Sequence, residues 1–210
     1  RDMNKKETEI LIARIEKWYA QLPNNVVYDK IPFQAKFGWS KEKVLFKDRL
    51  TLDYKPIKEG DAWGSKWESA WFHLTADMPS DWRGKQIASD LDFSGEGLVY
   101  DNKGNEIQGI TNGAIWDPNF RRTRVIFGKN IINNPKIELW VEAAANSLFG
   151  VFTDPDVKED SPKKHGWFDA KVEKMKVGIF DKELWHLYLD VRILIGLIKH
   201  LDKKSVQRSR

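Results

Sequence analysis

The sequence predicts a mainly β protein, an antiparallel β-sandwich carrying an N-terminal helix and a C-terminal helix. Three observations predict it. Apolar and polar residues alternate with a period of two through most of the chain, the alternating runs are separated by clusters of Gly, Pro, Asn and Asp, and helical spacing of apolar residues is found only near the two ends. Strands in the middle with helices at the edges are the pattern of stacked sheets rather than of a parallel α/β fold. The chain divides accordingly into a helical segment over residues 1–25, a sandwich over 26–180 and a helix over 181–210.

Leu11, Ile15, Trp18 and Leu22 stand at helical spacing among Lys, Glu and Arg, which predicts a helix over residues 8–22, ended by Pro23-Asn24-Asn25. A helix this short is marginal alone, so its stripe is expected to pack on the rest of the protein. Residues 26–37 read as extended, with Pro32 marking an edge or irregular strand. Residues 43–52 read as a further strand with Val44, Phe46 and Asp48 on one face. Pro56 to Asp61 is a turn-rich link into a loop bearing Trp63, Gly64 and Trp67. From Glu68 to Ala76, residues Ala70, Phe72, Leu74 and Ala76 share one face and Trp71, His73 and Thr75 the other. Aromatic residues on both faces suit a strand covered on both sides, by core on one and by core or a neighbouring domain on the other.

After the corner Pro79-Ser80-Asp81-Trp82-Arg83-Gly84, residues Ile87, Ser89, Leu91 and Phe93 alternate with Ala88, Asp90 and Asp92 as a half-buried strand. Strand residues Gly97 to Tyr100 and Glu106 to Gly109 flank Asp101-Asn102-Lys103-Gly104-Asn105, where the glycine can take the left-handed conformation that closes a hairpin. Further strands are predicted over 121–127, 136–144 and 170–180, with a polar, Pro-containing loop over 154–166. Asp181 then caps a helix whose stripe includes Leu184, Leu187, Tyr188, Val191 and Leu194, and Phe180 with Trp185 suits a hydrophobic staple across the cap.

Hydrophobic content of 41% and mean hydropathy of −0.57 fit a globular protein of 210 residues. No apolar run reaches the roughly 20 residues a membrane helix needs, so no membrane partner is expected. The net charge of +4 arises from 35 basic and 31 acidic residues that are finely interleaved, with a basic cluster only at Lys203, Lys204, Arg208 and Arg210. Nucleic-acid binding needs that excess gathered into a stripe, so no nucleic-acid partner is expected. The absence of cysteine excludes disulfides and thiolate sites and fits a cytoplasmic protein without excluding an exported one. The chain opens on Arg1 without an apolar leader and ends without a closing element, which reads as part of something longer.

Ten Trp residues make either a Trp-rich core or a set of sugar-stacking platforms. Carboxylates share strand faces at Asp90 with Asp92 and at Glu138 with Glu142, which reads as chance pairing on solvated faces. The four histidines, His73, His165, His186 and His200, form no ligand pair. The glycines of Gly95-Glu96-Gly97 and of Gly109 to Gly113 read as turn residues, because neither run opens a helix with the Lys-Ser or Lys-Thr of a phosphate loop.

The run Trp63-Gly64-Ser65-Lys66-Trp67-Glu68-Ser69-Ala70-Trp71-Phe72, followed by Pro79 and Trp82-Arg83-Gly84, resembles the N-terminal domain of glycoside hydrolase family 38 α-mannosidases of the bacterial, fungal vacuolar and animal cytosolic branch. The resemblance continues through Ser94 to Asp101, Gln108 to Gly113 and Leu139 to Gly150, and covers the chain from about Val44 onward. It implies a galactose-binding-like jelly roll. It also implies a parent enzyme that removes terminal α-linked mannose by a retaining mechanism aided by zinc or another divalent metal. The His-x-His-x-Asp signature near the family's nucleophile is absent here, so no catalytic residue and no metal ligand carries over, and the fragment is expected to hydrolyse nothing. Its expected partners are the downstream catalytic domain, mannose-containing oligosaccharide and other copies of the parent enzyme. The Trp63 and Trp67 loop, the segment Glu96 to Tyr100 and the C-terminal helix are the candidates for bracing that domain. In a second reading the chain is a free-standing carbohydrate-binding module. There Trp63, Trp67 or Trp116 stack on sugar rings, and Glu96, Asp117 or Arg121 bind hydroxyls.

Overall fold

The computed structural model describes residues 5–111, 121–128, 131, 133–146 and 169–201. Contacts divide the chain into two compact units, one of Arg1–Tyr28 with Phe180–Arg210 and one of Asp29–Ile179.

The larger unit is two packed antiparallel sheets. One sheet has six strands in the order β3 (Tyr54–Ile57), β2 (Gln34–Ser40), β5 (Ser69–Asp77), β10 (Lys136–Ala144), β7 (Glu96–Asp101) and β8 (Glu106–Thr111). The other has four, in the order β1 (Val27–Pro32), β12 (Lys174–Phe180), β6 (Ile87–Asp92) and β9 (Arg124–Ile126). A two-stranded pair, β11 (Asp169–Lys171) with β4 (Ala62–Ser65), completes the strands described.

The longest ladder joins β5 to β10, with Phe72 opposite Val141, Leu74 opposite Leu139 and Ala70 opposite Ala143. Those residues face the core, where Ile87, Leu91, Phe93, Val125, Met175 and Val177 meet them from the smaller sheet. Phe72 is the point where the layers interlock. It is 0% exposed, and its ring lies 4.3 Å from Phe93, 5.4 Å from Trp63 and 5.9 Å from Phe37.

The opposite face of the same ladder carries a second, smaller core of Trp71, Tyr100 and Trp140, covered by Val44, Phe46, Leu52 and Tyr54. The reading of residues 43–52 as a strand is corrected here: Phe46–Thr51 is a 3-10 turn. The apolar residues that imitate a strand's alternation are instead drawn onto the sheet. Trp71 Nε1 donates to Val44 O at 2.8 Å, and the Phe46 ring lies 5.7 Å from Trp71 and 5.2 Å from Tyr100.

Other boundaries also shift. The strand expected over 170–180 is two strands in different sheets, because Val172 N donates to Asp61 O and Glu173 N to Asp92 O between them. The strand expected over 121–127 is shortened to Arg124–Ile126. The half-buried β6 is buried on both faces, with Asp90 neutralised by Lys30 at 3.1 Å and Arg124 at 3.7 Å. Pro32 does end an edge strand, as its missing N–H requires. The Asp101 turn closes the β7–β8 hairpin with Gly104 at φ +88°, and a Cβ there would meet the Phe46 ring at 2.7 Å.

In the smaller unit α1 (Lys5–Tyr19), α2 (Leu22–Asn25) and α3 (Lys182–His200) are helical. Asp181 Oδ1 accepts from Leu184 N at 2.8 Å, the N-cap its position predicts. Tyr19 stacks on Tyr188 at 4.8 Å between ring centroids. The expected packing of the α1 stripe is not observed: Leu11, Ile15 and Trp18 remain exposed, while Leu22 is buried. Among the described residues no helix is long and apolar enough to cross a membrane.

Removing the interlocking ring leaves a cavity between well-packed layers. Phe72→Ala is expected to lower unfolding stability by roughly 3–5 kcal/mol, read from the midpoint of a urea titration followed by tryptophan fluorescence.

Candidate functional site

The last residues of β10 organise one end of the six-stranded sheet. Trp67 N donates to Ala145 O and Ala145 N to Glu68 O, each at 2.8 Å. Asn146 grips the neighbouring strand: its Oδ1 accepts from Glu96 N and its Nδ2 donates to Glu96 Oε2, both at 2.9 Å. On the other side Glu68 Oε2 accepts from Ser65 N at 2.7 Å and from Trp39 Nε1 at 2.8 Å. Gly95 is required at this end, because a Cβ there would collide with the Ala144 carbonyl.

Glu68 N donates to Ser65 O at 3.0 Å, closing a turn with Trp67 in its third position at φ +65°. Gly or Asn is the ordinary occupant of that conformation, and another residue pays about 1–2 kcal/mol for it. Ser94, nearby in the chain to Glu96, is also left-handed at φ +61°, but its hydroxyl is fully used: it donates to Lys171 O at 3.0 Å and accepts from Lys171 N at 3.1 Å. Trp67 has no such compensation in burial. The residue is 57% exposed, and Trp39 beside the same carboxylate is 47% exposed.

The sequence candidates therefore separate. Trp67 and Glu96 meet around Ala145 and Asn146. Trp63 is buried in the main core, its Nε1 donating to Phe93 O at 2.9 Å, so it is not available to stack on a sugar. Tyr100 is buried in the second core, its hydroxyl 3.5 Å from Glu142 Oε2. Trp116 and Asp117 lie outside the described residues, and Arg121 is exposed. Trp39, Glu68 and Asn146 were not singled out in the sequence, since nothing local marks a strand-end Trp as open or a turn Glu as its acceptor.

The second core is the more polarised region. The Arg49 guanidinium lies between two rings, 3.7 Å from the Phe46 centroid and 4.3 Å from that of Trp140, and its N–H donates to Phe46 O at 2.8 Å. Burial holds its pKa below the ordinary value, opposed by Tyr54 and Glu138. Tyr54 donates to Arg49 O at 2.9 Å, and burial pushes its phenol up to about 12 against the pull of Arg49. Burial, then Glu142 and Glu106, raises Tyr100. His73 stacks on Trp140 at 4.2 Å and is hydrogen-bonded with Glu138 at 2.8 Å.

The carboxylates that share strand faces are thus engaged in structure. Glu138 holds His73, Glu142 lies 3.4 Å from Lys43, Asp90 pairs with Lys30, and Asp92 Oδ1 accepts from Ser94 N at 2.9 Å. Along a strand Glu138 and Glu142 stand about 13 Å apart, well beyond the roughly 5 Å that retaining glycoside hydrolysis needs. Among the described residues no group of three or more His, Asp or Glu is placed to hold a metal ion.

The family model of the α-mannosidase jelly-roll domain, Ams1-like, matches residues 31–175. The chain belongs to this family. The two packed sheets are its jelly roll, and the matched span contains both the β10 end and the second core while α1, α2 and α3 lie outside it. The chain is similar to α-mannosidase G of Dictyostelium discoideum, at 27% identity over 214 residues, covering 98% of this chain and 19% of that protein. It is also similar to human α-mannosidase 2C1, at 25% identity over 169 residues, covering 80% of this chain and 15% of that one. It spans under a fifth of the length of these relatives. Among solved structures, a β-glucuronidase from Ruminococcus gnavus aligns over 73% of this chain and 28% of its own at 13% identity, with a TM-score of 0.49.

Two outcomes follow for this jelly roll. Trp67→Asn relieves the left-handed strain and is expected to raise stability by about 1 kcal/mol in urea unfolding. Between pH 10 and 12 the folded chain keeps the Tyr54 proton that the unfolded chain has released, so stability present below pH 10 is lost as pH rises through the folded value of about 12. Tyr54→Phe is expected to reduce that slope and to cost about 1 kcal/mol at neutral pH through the hydrogen bond to Arg49 O, measured by urea unfolding at stepped pH.

Proposed function

We propose that this chain is the non-catalytic accessory domain of a family 38 α-mannosidase, an enzyme that removes terminal α-linked mannose by a retaining, metal-assisted mechanism located outside these residues. The observation that carries the proposal is the family match over residues 31–175 in a chain that spans 19% and 15% of α-mannosidases it resembles. The engagement of Asp90, Asp92, Glu138 and Glu142 in turns, hydrogen bonds and ion pairs supports a non-catalytic role.

The partner in this reading is the remainder of the mannosidase chain. Its footprint includes the helical unit, where Ile10, Leu11, Ile15 and Trp18 of α1 and Leu187, Ile193, Leu194 and Leu197 of α3 are exposed. So many exposed large apolar residues on two helices mark a surface meant to be covered. Four-fifths of such an enzyme lies outside a chain of this length, which supplies a cover within the same polypeptide.

The full-length gene product and the 210-residue chain, assayed on 4-nitrophenyl α-mannoside, test the reading. Turnover is expected from the full-length protein, lost on dialysis against a chelator and restored by zinc, and none is expected from the chain alone. Turnover by the short chain, or a full-length protein inert on α-mannosides in the presence of divalent metal, overturns it.

A further inference from the structure

We infer that the β10 end is a saccharide-binding platform in which Trp67 and Trp39 stack on pyranose rings and Glu68 accepts from their hydroxyls. Three observations point there. Trp67 is held in a left-handed turn position that favours Gly or Asn, yet the residue is 57% exposed, so the strain is not repaid by burial within the chain. Trp39, at the end of β2, is 47% exposed, and its N–H donates to Glu68 Oε2, which fixes the ring. One carboxylate thus orients both elements: Glu68 Oε2 ties the turn through Ser65 N and the strand through Trp39 Nε1.

That combination suits a neutral sugar better than a flat apolar partner. A pyranose offers a C–H face to an aromatic ring and hydroxyls at its rim to a carboxylate, the division of labour found in pockets where a few polar groups orient an apolar contact. Ser94 sharpens the contrast, since the other strained residue at this end is tied off inside the fold and offers nothing outward. The choice of an α-linked mannose oligosaccharide as the probe rests on the mannosidase reading, whereas the platform itself does not.

The test is titration of the 210-residue chain with α-linked mannotriose, followed by tryptophan fluorescence and by isothermal calorimetry, with circular dichroism confirming the fold of each protein. A saturable shift at or below millimolar ligand is expected in the native chain. Trp67→Asn is expected to weaken it at least tenfold while resisting urea better than the native chain. A residue whose role is only structural cannot give that opposed pair of results. No saturable signal in the folded native chain, or undiminished binding by Trp67→Asn, overturns the inference. Activity of the full-length protein on 4-nitrophenyl α-mannoside is a separate measurement, so the failure of either reading is seen independently of the other.

Discussion

The fold depends on one ladder being buried on both of its faces. β5 and β10 pair over nine residues, and successive side chains point alternately to a main core and to a second aromatic cluster. Such a ladder cannot leave either face to water without exposing Phe72 on one side or Trp71 and Trp140 on the other. The inner face is met by the four-stranded sheet. Among the described residues the outer face is covered by residues 44–54 folded back onto it, and polar groups that enter this cover find partners there. Trp71 Nε1 takes Val44 O, the Tyr54 hydroxyl takes Arg49 O, and Arg49 fills the gap between the Phe46 and Trp140 rings as a cation over two π faces. The raised pKa of Tyr54 and the lowered pKa of Arg49 have the same origin: each is held out of water by that cover.

The same ladder sets the geometry of its end. Because Ala145 and Asn146 follow β10 directly, they can bind the Trp67 turn with one backbone pair and the start of β7 with one side-chain amide. Close backbone approach at Gly95 and two left-handed residues, Trp67 and Ser94, are the cost of bringing three chain segments together there. The cost at Ser94 is offset by hydrogen bonds inside the fold. At Trp67 the backbone is likewise anchored, by Trp67 N to Ala145 O, but the residue stays 57% exposed, which separates a corner tied off inside the fold from one that leaves a ring in the open.

Most of the sandwich was legible because its signal is local. Period two places Phe72, Leu74, Leu139 and Val141 on one face whatever their partners are, and the Asp101 to Asn105 turn carries its own glycine. The segment 43–52 was misread because Val44 and Phe46 mimic a strand's spacing, while their burial is decided by a sheet face assembled from residues far along the chain. The site was less legible still. Trp63 and Trp67 lie four residues apart in one loop, yet the first is core and the second is open. What divides them is a turn whose third position would normally announce itself with Gly or Asn, and here does not. Trp39 and Asn146 gave no signal, because an exposed ring at a strand end and an amide bridging two strands are defined by neighbours that only the fold supplies.

The two units differ in how self-sufficient they are. The jelly roll buries a continuous core between its sheets, with Trp39, Leu45, Leu50 and Trp67 left exposed, and pairs Asp90 internally. Among the described residues the helical unit holds a stacked tyrosine pair, a part-buried cap at Asp181 and an ion pair, Lys199 to Glu16 at 2.8 Å, whose members are mostly exposed and therefore add little. A helix the length of α1 is marginal in water by itself, and each Leu or Ile left exposed forgoes roughly 1.5–3 kcal/mol that burial would supply. In the proposed enzyme, covering α1 and α3 by the remainder of the chain recovers several such terms at once. The stability of the helices is then tied to the presence of the catalytic portion, while that of the jelly roll is not.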